Sequence, residues 1–175
     1  MAQADFWQGT RTLVTGATGF IGGHLTRRLT GLGAVVHAVS RRPPRLSEGG
    51  EVWHTADLAD PEATLALIRR VRPDYVFHLA STVTGARDPA LVRATLDGNL
   101  GAAVNLLTAA TEVPLKRLVL AGSVEEPREG DPTPQSPYAV AKWAATGYAR
   151  LFHSLWGVPV TVLRVAMVYG PDQPD

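Results

Sequence analysis

Tyr138 and Lys142 stand four residues apart in Tyr138-Ala139-Val140-Ala141-Lys142, a spacing that sets a phenol and an ammonium group on one face of a helix. Positive charge beside a phenol favours phenolate, so the pair is expected to lower the tyrosine pKa toward the range useful for proton transfer. Ser136-Pro137 just before it is a good helix start. By itself such a pair occurs on many surface helices. Its weight comes from Leu118-Val119-Leu120-Ala121-Gly122-Ser123, an apolar run ending in a hydroxyl residue, because ligands of open α/β sheets bind at the carboxyl ends of the strands.

A second constellation lies near the start, in Thr15-Gly16-Ala17-Thr18-Gly19-Phe20-Ile21-Gly22, with glycine at every third position between an expected strand and an expected helix. Gly16 suits a tight turn, Gly19 lets a pyrophosphate approach the backbone, and Gly22 permits close packing of helix on strand. The amides of the first helical turn attract the anion, so Gly16, Thr18, Gly19, Phe20, Ile21 and Gly22 form the expected diphosphate site.

The end of the next strand reads Ala38-Val39-Ser40-Arg41-Arg42. An acidic residue there would bind a ribose 2′-hydroxyl and repel a 2′-phosphate, whereas Ser40 with Arg41 or Arg42 offers a hydrogen bond and a charge-assisted fork. The expected cofactor is therefore NADP, with NAD as the alternative. Asp57-Leu58 follows the third strand, where the carboxylate either accepts from an adenine amino group or shapes the turn into the next helix.

Positioning these groups requires short apolar runs alternating with longer segments of helical period, the pattern of a parallel sheet covered by helices. Strands are expected at Thr12 to Thr15, Ala34 to Val39, Val52 to Thr55, Tyr75 to Leu79, Arg117 to Ala121 and Val160 to Val165. Helices are expected from about Phe20 to Leu32, with Gly33 as a left-handed cap, and after Asp60-Pro61 with Leu65 and Ile68 inward. Two more follow, from about Pro89 to Thr111, with Val92, Leu96, Leu100, Ala103 and Leu107 recurring, and from Pro137 to Trp156. Right-handed crossovers give the doubly wound order 3-2-1-4-5-6. The connecting loops are Pro43 to Gly50 and Glu125 to Ser136.

Among 175 residues, 45% hydrophobic and 19% charged, there is enough apolar material for one globular domain. A net charge of +1, with Arg41, Arg42 and Arg45 clustered but no long basic stripe accompanying them, argues against nucleic acid as a partner. The absence of cysteine excludes disulfides, a thiol nucleophile and thiolate-bound metal. His24, His37, His54 and His78 show no metal-ligand spacing and read as surface or packing residues, so no metal is expected. Residues 1–10 lack a signal-peptide core and no apolar run reaches membrane-spanning length, so a cytoplasmic protein without membrane contact is expected. Trp143, Tyr148, Phe152 and Trp156 recur at near-helical spacing and read as core or as a helix-pair dimer interface, while Arg164 reads as a partner for a carboxylate at the sheet end.

Together these segments resemble the extended short-chain dehydrogenase/reductase family of nucleotide-sugar epimerases, dehydratases and ketoreductases. Thr15 to Gly22 is similar to that family's TGxxGxxG and Tyr138 with Lys142 to its YxxxK. The resemblance implies a Rossmann fold in which Ser123 hydrogen-bonds the reacting oxygen, Tyr138 is the acid/base, and Lys142 is its electrostatic partner and ribose ligand. Asn99 resembles the first asparagine of the NxxGxxNLL helix that supports the site, with Ala102 in its glycine position. His78-Leu79-Ala80-Ser81 is similar to the HxAA segment, which implies that Leu79, Ala80 and Ser81 pass the cofactor. Leu163-Arg164 through Tyr169-Gly170-Pro171 resembles LRxxNVYGP, with Met167 in the asparagine position.

The resemblance further implies an NAD(P)-binding domain over 1–175 whose C-terminal substrate domain lies outside this chain, and a homodimer formed through the helices carrying Asn99 and Tyr138. The expected activity is hydride transfer to or from a nucleotide-linked sugar, by a ketoreductase or an epimerase. A 4,6-dehydratase is a further reading, although Val124-Glu125 follows Ser123 where dehydratases of this pattern carry Asp-Glu. A truncated enzyme or a non-catalytic NAD(P)-binding module is the reading from a different class.

Overall fold

The computed structural model describes residues 2–42, 49–128, 130 and 133–173; Pro43 to Glu48, Arg45 among them, lie outside the described residues. The polar composition of residues 1–10 does not announce the first element, the short helix α1 (Ala2–Trp7). Its cause is tertiary: the Trp7 ring packs edge-on to Tyr75 with centroids 5.2 Å apart and lies 6.2 Å from Phe77.

Six strands follow: β1 (Arg11–Thr15), β2 (Val35–Ser40), β3 (Val52–Thr55), β4 (Tyr75–His78), β5 (Arg117–Ser123) and β6 (Val160–Val165). All neighbouring pairs are parallel, in the order β3-β2-β1-β4-β5-β6, the doubly wound order expected. β1 is buried on both faces, and its successive side chains feed two cores. Leu13 joins Leu67, Ile68, Leu106, Leu107 and Leu118 under α3 (Pro61–Val71) and α5 (Ala102–Ala110). Val14 joins Val36, Ala38 and Leu29, the last from α2 (Phe20–Gly31), on the opposite face.

Several helix ends follow local chemistry. The Asp60 side chain accepts from the amides of Glu62 and Ala63 ahead of Pro61, and the Ser136 hydroxyl accepts from Ala139 N at the start of α6 (Pro137–Trp156). α6 stops at Gly157, whose φ of 66° is the left-handed region glycine enters freely.

The expected helix between Pro89 and Thr111 is a composite. A 3-10 turn (Pro89–Leu91) and α4 (Val92–Thr95) run into a π-helix (Leu96–Gly101), and α5 completes it. Val92 and Leu96 face solvent, unlike Ala103 and Leu107, so the apolar stripe is buried only in its second half. β5 runs two residues beyond the expected Ala121, because its pairing with β6 continues to Ser123 opposite Val165. Of the four aromatics Trp143, Tyr148, Phe152 and Trp156, Phe152 is core while Trp143, Tyr148 and Trp156 are exposed, which corrects the core reading for those three.

Candidate active site

Thr15 ends β1, and the chain turns at Gly16 with φ of 68°, where the Gly19 amide donates to the Gly16 carbonyl at 2.9 Å. A Cβ on Gly16 would lie 2.7 Å from Ala80 N, and one on Gly22 would lie 2.0 Å from Gly16 O. The glycine turn is thus pressed against the end of β4 and against its own helix. Gly19 caps α2 without a side chain, leaving only backbone at the N-terminus where an anion is favoured.

From this turn a cleft of about 760 Å³ runs along the carboxyl edge of the sheet. Gly16, Thr18 and Gly19 line one end, Ser40, Arg41 and Arg42 with Asp57 and Leu58 a second wall, and Leu79, Ala80 and Ser81 the approach to β5. The volume falls within the range of small-molecule sites, and the cradle that a Cβ would fill fits a dinucleotide diphosphate. The Ser40 hydroxyl is engaged with the backbone of Arg42, donating to its carbonyl and accepting from its amide, so it shapes the turn that presents the two exposed arginines. Asp57 does shape a turn, its Oδ1 accepting from Ala59 N at 3.0 Å, while it also lines the cleft. Of the expected diphosphate set, Phe20, Ile21 and Gly22 do not line the cleft. Phe20 stacks edge-on to His24 and Gly22 is buried packing.

The π-helix turns Asn99 inward. Its Oδ1 accepts from Ser81 Oγ at 3.0 Å and Thr82 N at 2.7 Å, and its Nδ2 donates to Thr82 O at 3.1 Å, so it pins the segment beyond β4. His78, buried against Thr15 Oγ1 at 2.8 Å, fastens β4 to β1 just before that segment. Burial, with a contribution from the Lys142 charge, lowers the His78 pKa to about 3.

Ser123, Tyr138 and Lys142 are brought together just beyond Ser81, all three buried, though none lines the cleft itself. The Lys142 ammonium lies 5.8 Å from the centroid of the Tyr138 ring and donates to Ala121 O at 2.7 Å. Burial lowers the Lys142 pKa to about 8, and the Glu126 carboxylate opposes that shift.

The Tyr138 pKa is raised, not lowered as the spacing suggested. Burial of the phenol is the main cause, the hydroxyls of Ser123 and Ser81 pull the other way, and the carboxylates of Glu125 and Glu126 push it further up. Helical spacing predicts neighbours but carries no information on the desolvation that outweighs them.

Three residues of this region escape the sequence reading. Glu126 is buried with its carboxylate on Ser123 N, Thr146 Oγ1 and Arg164 Nη2, so Arg164 does meet a carboxylate at the sheet end. Thr82 holds Asn99 through its backbone. Thr146 was legible in principle, since it stands eight residues after Tyr138 and hence on the same helix face. Among the described residues, no group of three or more His, Asp or Glu side chains stands close enough to hold a metal ion, and no helix is long and apolar enough to cross a membrane.

A sequence model of the family described as NAD dependent epimerase/dehydratase matches residues 12–175. The UDP-glucose 4-epimerase of Mycolicibacterium smegmatis is 32% identical over 186 residues, covering 93% of this chain and 58% of that protein. The dTDP-4-dehydro-6-deoxy-D-allose reductase of a Streptomyces species is 31% identical, over 96% of this chain and 59% of its own. The crystal structure of the UDP-glucose 4-epimerase of Thermus thermophilus in complex with NAD superposes with a TM-score of 0.79 at 30% identity, covering 94% of this chain and 58% of that one. The chain therefore spans a little over half the length of the relatives it matches.

Proposed function

Because the chain belongs to the NAD-dependent epimerase/dehydratase family, we propose that it is the cofactor-binding part of an oxidoreductase acting on a nucleotide-linked sugar, as a ketoreductase or an epimerase. One observation carries this reading: Ser81 lines the glycine-turn cleft and also faces the Tyr138 phenol, so the cleft and the buried Ser123, Tyr138 and Lys142 cluster meet at one residue. When bound, a nicotinamide supplies reversible hydride donation and acceptance.

In this reading Tyr138 moves the proton at its phenol oxygen and Ser123 Oγ hydrogen-bonds the reacting oxygen of the sugar. Burial raises the pKa of this phenol, so near neutrality it is in the protonated form that can deliver a proton to a carbonyl oxygen. Lys142 supplies the positive charge that steadies the phenolate left behind, and its ammonium is the ribose ligand. Asn99 holds Ser81 and Thr82 in place against the cofactor. Val124 before Glu125 speaks against the 4,6-dehydratase reading.

For the cofactor we favour NADP over the NAD of the family description and of the Thermus complex, since two arginines and no carboxylate follow β2. Exposed Val92 and Leu96 near Asn99, with Trp143 and Leu151 on α6, support a homodimer through those helices. Titrating the chain with NADPH and NADH while following nicotinamide fluorescence tests the reading. Saturable binding with a Kd in the micromolar range is expected, and failure to bind either would overturn it. In the protein that turns over sugar nucleotide, Tyr138→Phe is expected to lower kcat by about 10²-fold or more while leaving cofactor affinity in place.

A further inference from the structure

We infer that Glu126 is a positioning residue: its buried carboxylate, ion-paired with Arg164, ties the strand that ends in Ser123 to the helix that carries Tyr138 and Lys142, and sets a negative charge near the lysine. The inference rests on the assignment of those three residues as the reacting cluster.

Glu126 is 1% exposed, and an ionised carboxylate so far from water is tolerated only when donors and cations surround it. Its two oxygens divide the task. Oε1 accepts from Ser123 N at 2.7 Å, on β5. Oε2 accepts from Thr146 Oγ1 at 2.7 Å, on α6, and lies 3.5 Å from Arg164 Nη2, on β6. Arg164 is held in turn by Pro127 O at 3.0 Å.

Room for the carboxylate exists because residue 122 is glycine; a Cβ there would lie 2.4 Å from Glu126 Oε1. Tyr138, Lys142 and Thr146 stand at successive intervals of four on one face of α6. A tether at Thr146 and another at Ser123 therefore set how far the reacting hydroxyl lies from phenol and ammonium. The charged and titratable groups facing Lys142 are His78 from β4, Tyr138 on its own helix and Glu126, with Arg164 across the carboxylate from β6. Glu126 is the anion among them, and it raises the Lys142 pKa against the effect of burial.

Three variants of the 175-residue chain test this without cofactor. In Glu126→Gln, which keeps the shape and removes the charge, NMR titration of the Lys142 side chain is expected to move downward by about one pH unit from the wild-type value. In Thr146→Val, the Ser123 amide is expected to exchange with solvent about tenfold faster, as its carboxylate acceptor loses an anchor, and Thr146→Ser is expected to restore the wild-type rate. An unchanged Lys142 titration in Glu126→Gln, or an unchanged Ser123 exchange rate in Thr146→Val, overturns the inference. In the turning-over protein, Thr146→Val is expected to lower kcat with KM unchanged. If the wild-type chain binds neither nicotinamide dinucleotide, the proposed function fails, while the lysine titration and amide exchange still judge the role of Glu126.

Discussion

Lys142 Nζ donates to the carbonyl oxygen of Ala121 at 2.7 Å, so the helix bearing the ammonium is fastened to the strand two residues before Ser123. One carbonyl does not replace the hydration of an ammonium ion, and burial accordingly lowers the lysine pKa to about 8 from 10.5.

The lowered pKa makes a prediction about stability. Between about pH 8 and 10.5 the unfolded chain binds the lysine proton and the folded chain does not, so stability rises with pH across that window. Below it the buried charge costs roughly 3 kcal/mol. Lys142→Met is therefore expected to be more stable than wild type at pH 7, with the difference shrinking as pH rises past 8. Urea unfolding at pH 7 and pH 10 measures it, and a pH-independent difference would contradict the assignment.

His78 acts at the other end of the scale. Its folded-state pKa of about 3 lies below the ordinary 6.5, so the unfolded state gains a proton first as pH falls. Stability from this residue is complete above pH 6.5 and is lost progressively between 6.5 and 3, by roughly 5 kcal/mol. His78→Gln is expected to shift the midpoint of acid unfolding to lower pH, as read by circular dichroism.

Gly22→Ala places a methyl group 2.0 Å from Gly16 O, and because the obstacle is backbone, helix and turn must separate. A loss of about 2 to 4 kcal/mol in thermal unfolding is expected, together with loss of NADH binding. The neighbouring Gly23→Ala, whose added Cβ would meet Ala17 O at 3.7 Å, is the matched control and is expected to retain both.

Arg41→Ala tests the second wall of the cleft. If Arg41 contacts a 2′-phosphate, NADPH affinity falls about tenfold while NADH affinity stays level. Arg42→Ala separates the two arginines. Equal losses for NADPH and NADH in both variants would remove the phosphate pocket and leave NAD as the cofactor.

Local chemistry made the elements and the first turn readable. Asp60-Pro61, Ser136-Pro137 and Gly157 act on the backbone within a few residues, so the helices they bound are legible in the chain itself. The glycines of Thr15 to Gly22 are legible for the same reason, and so is the Tyr138 and Lys142 pair, which helical geometry alone brings to one face. Alternating strands and helices in turn leave few sheet orders open.

Only the assembled tertiary structure decided the rest. The sign of the Tyr138 shift depends on how much protein covers the phenol, and the exposure of Trp143 and Trp156 on which helix face finds the sheet. The Glu126 site joins Gly122, Ser123, Thr146 and Arg164 from three elements. Desolvation and long-range pairing are properties of surfaces brought together in space, and residues 20 or 38 positions apart acquire them only once the sheet has closed around the carboxylate.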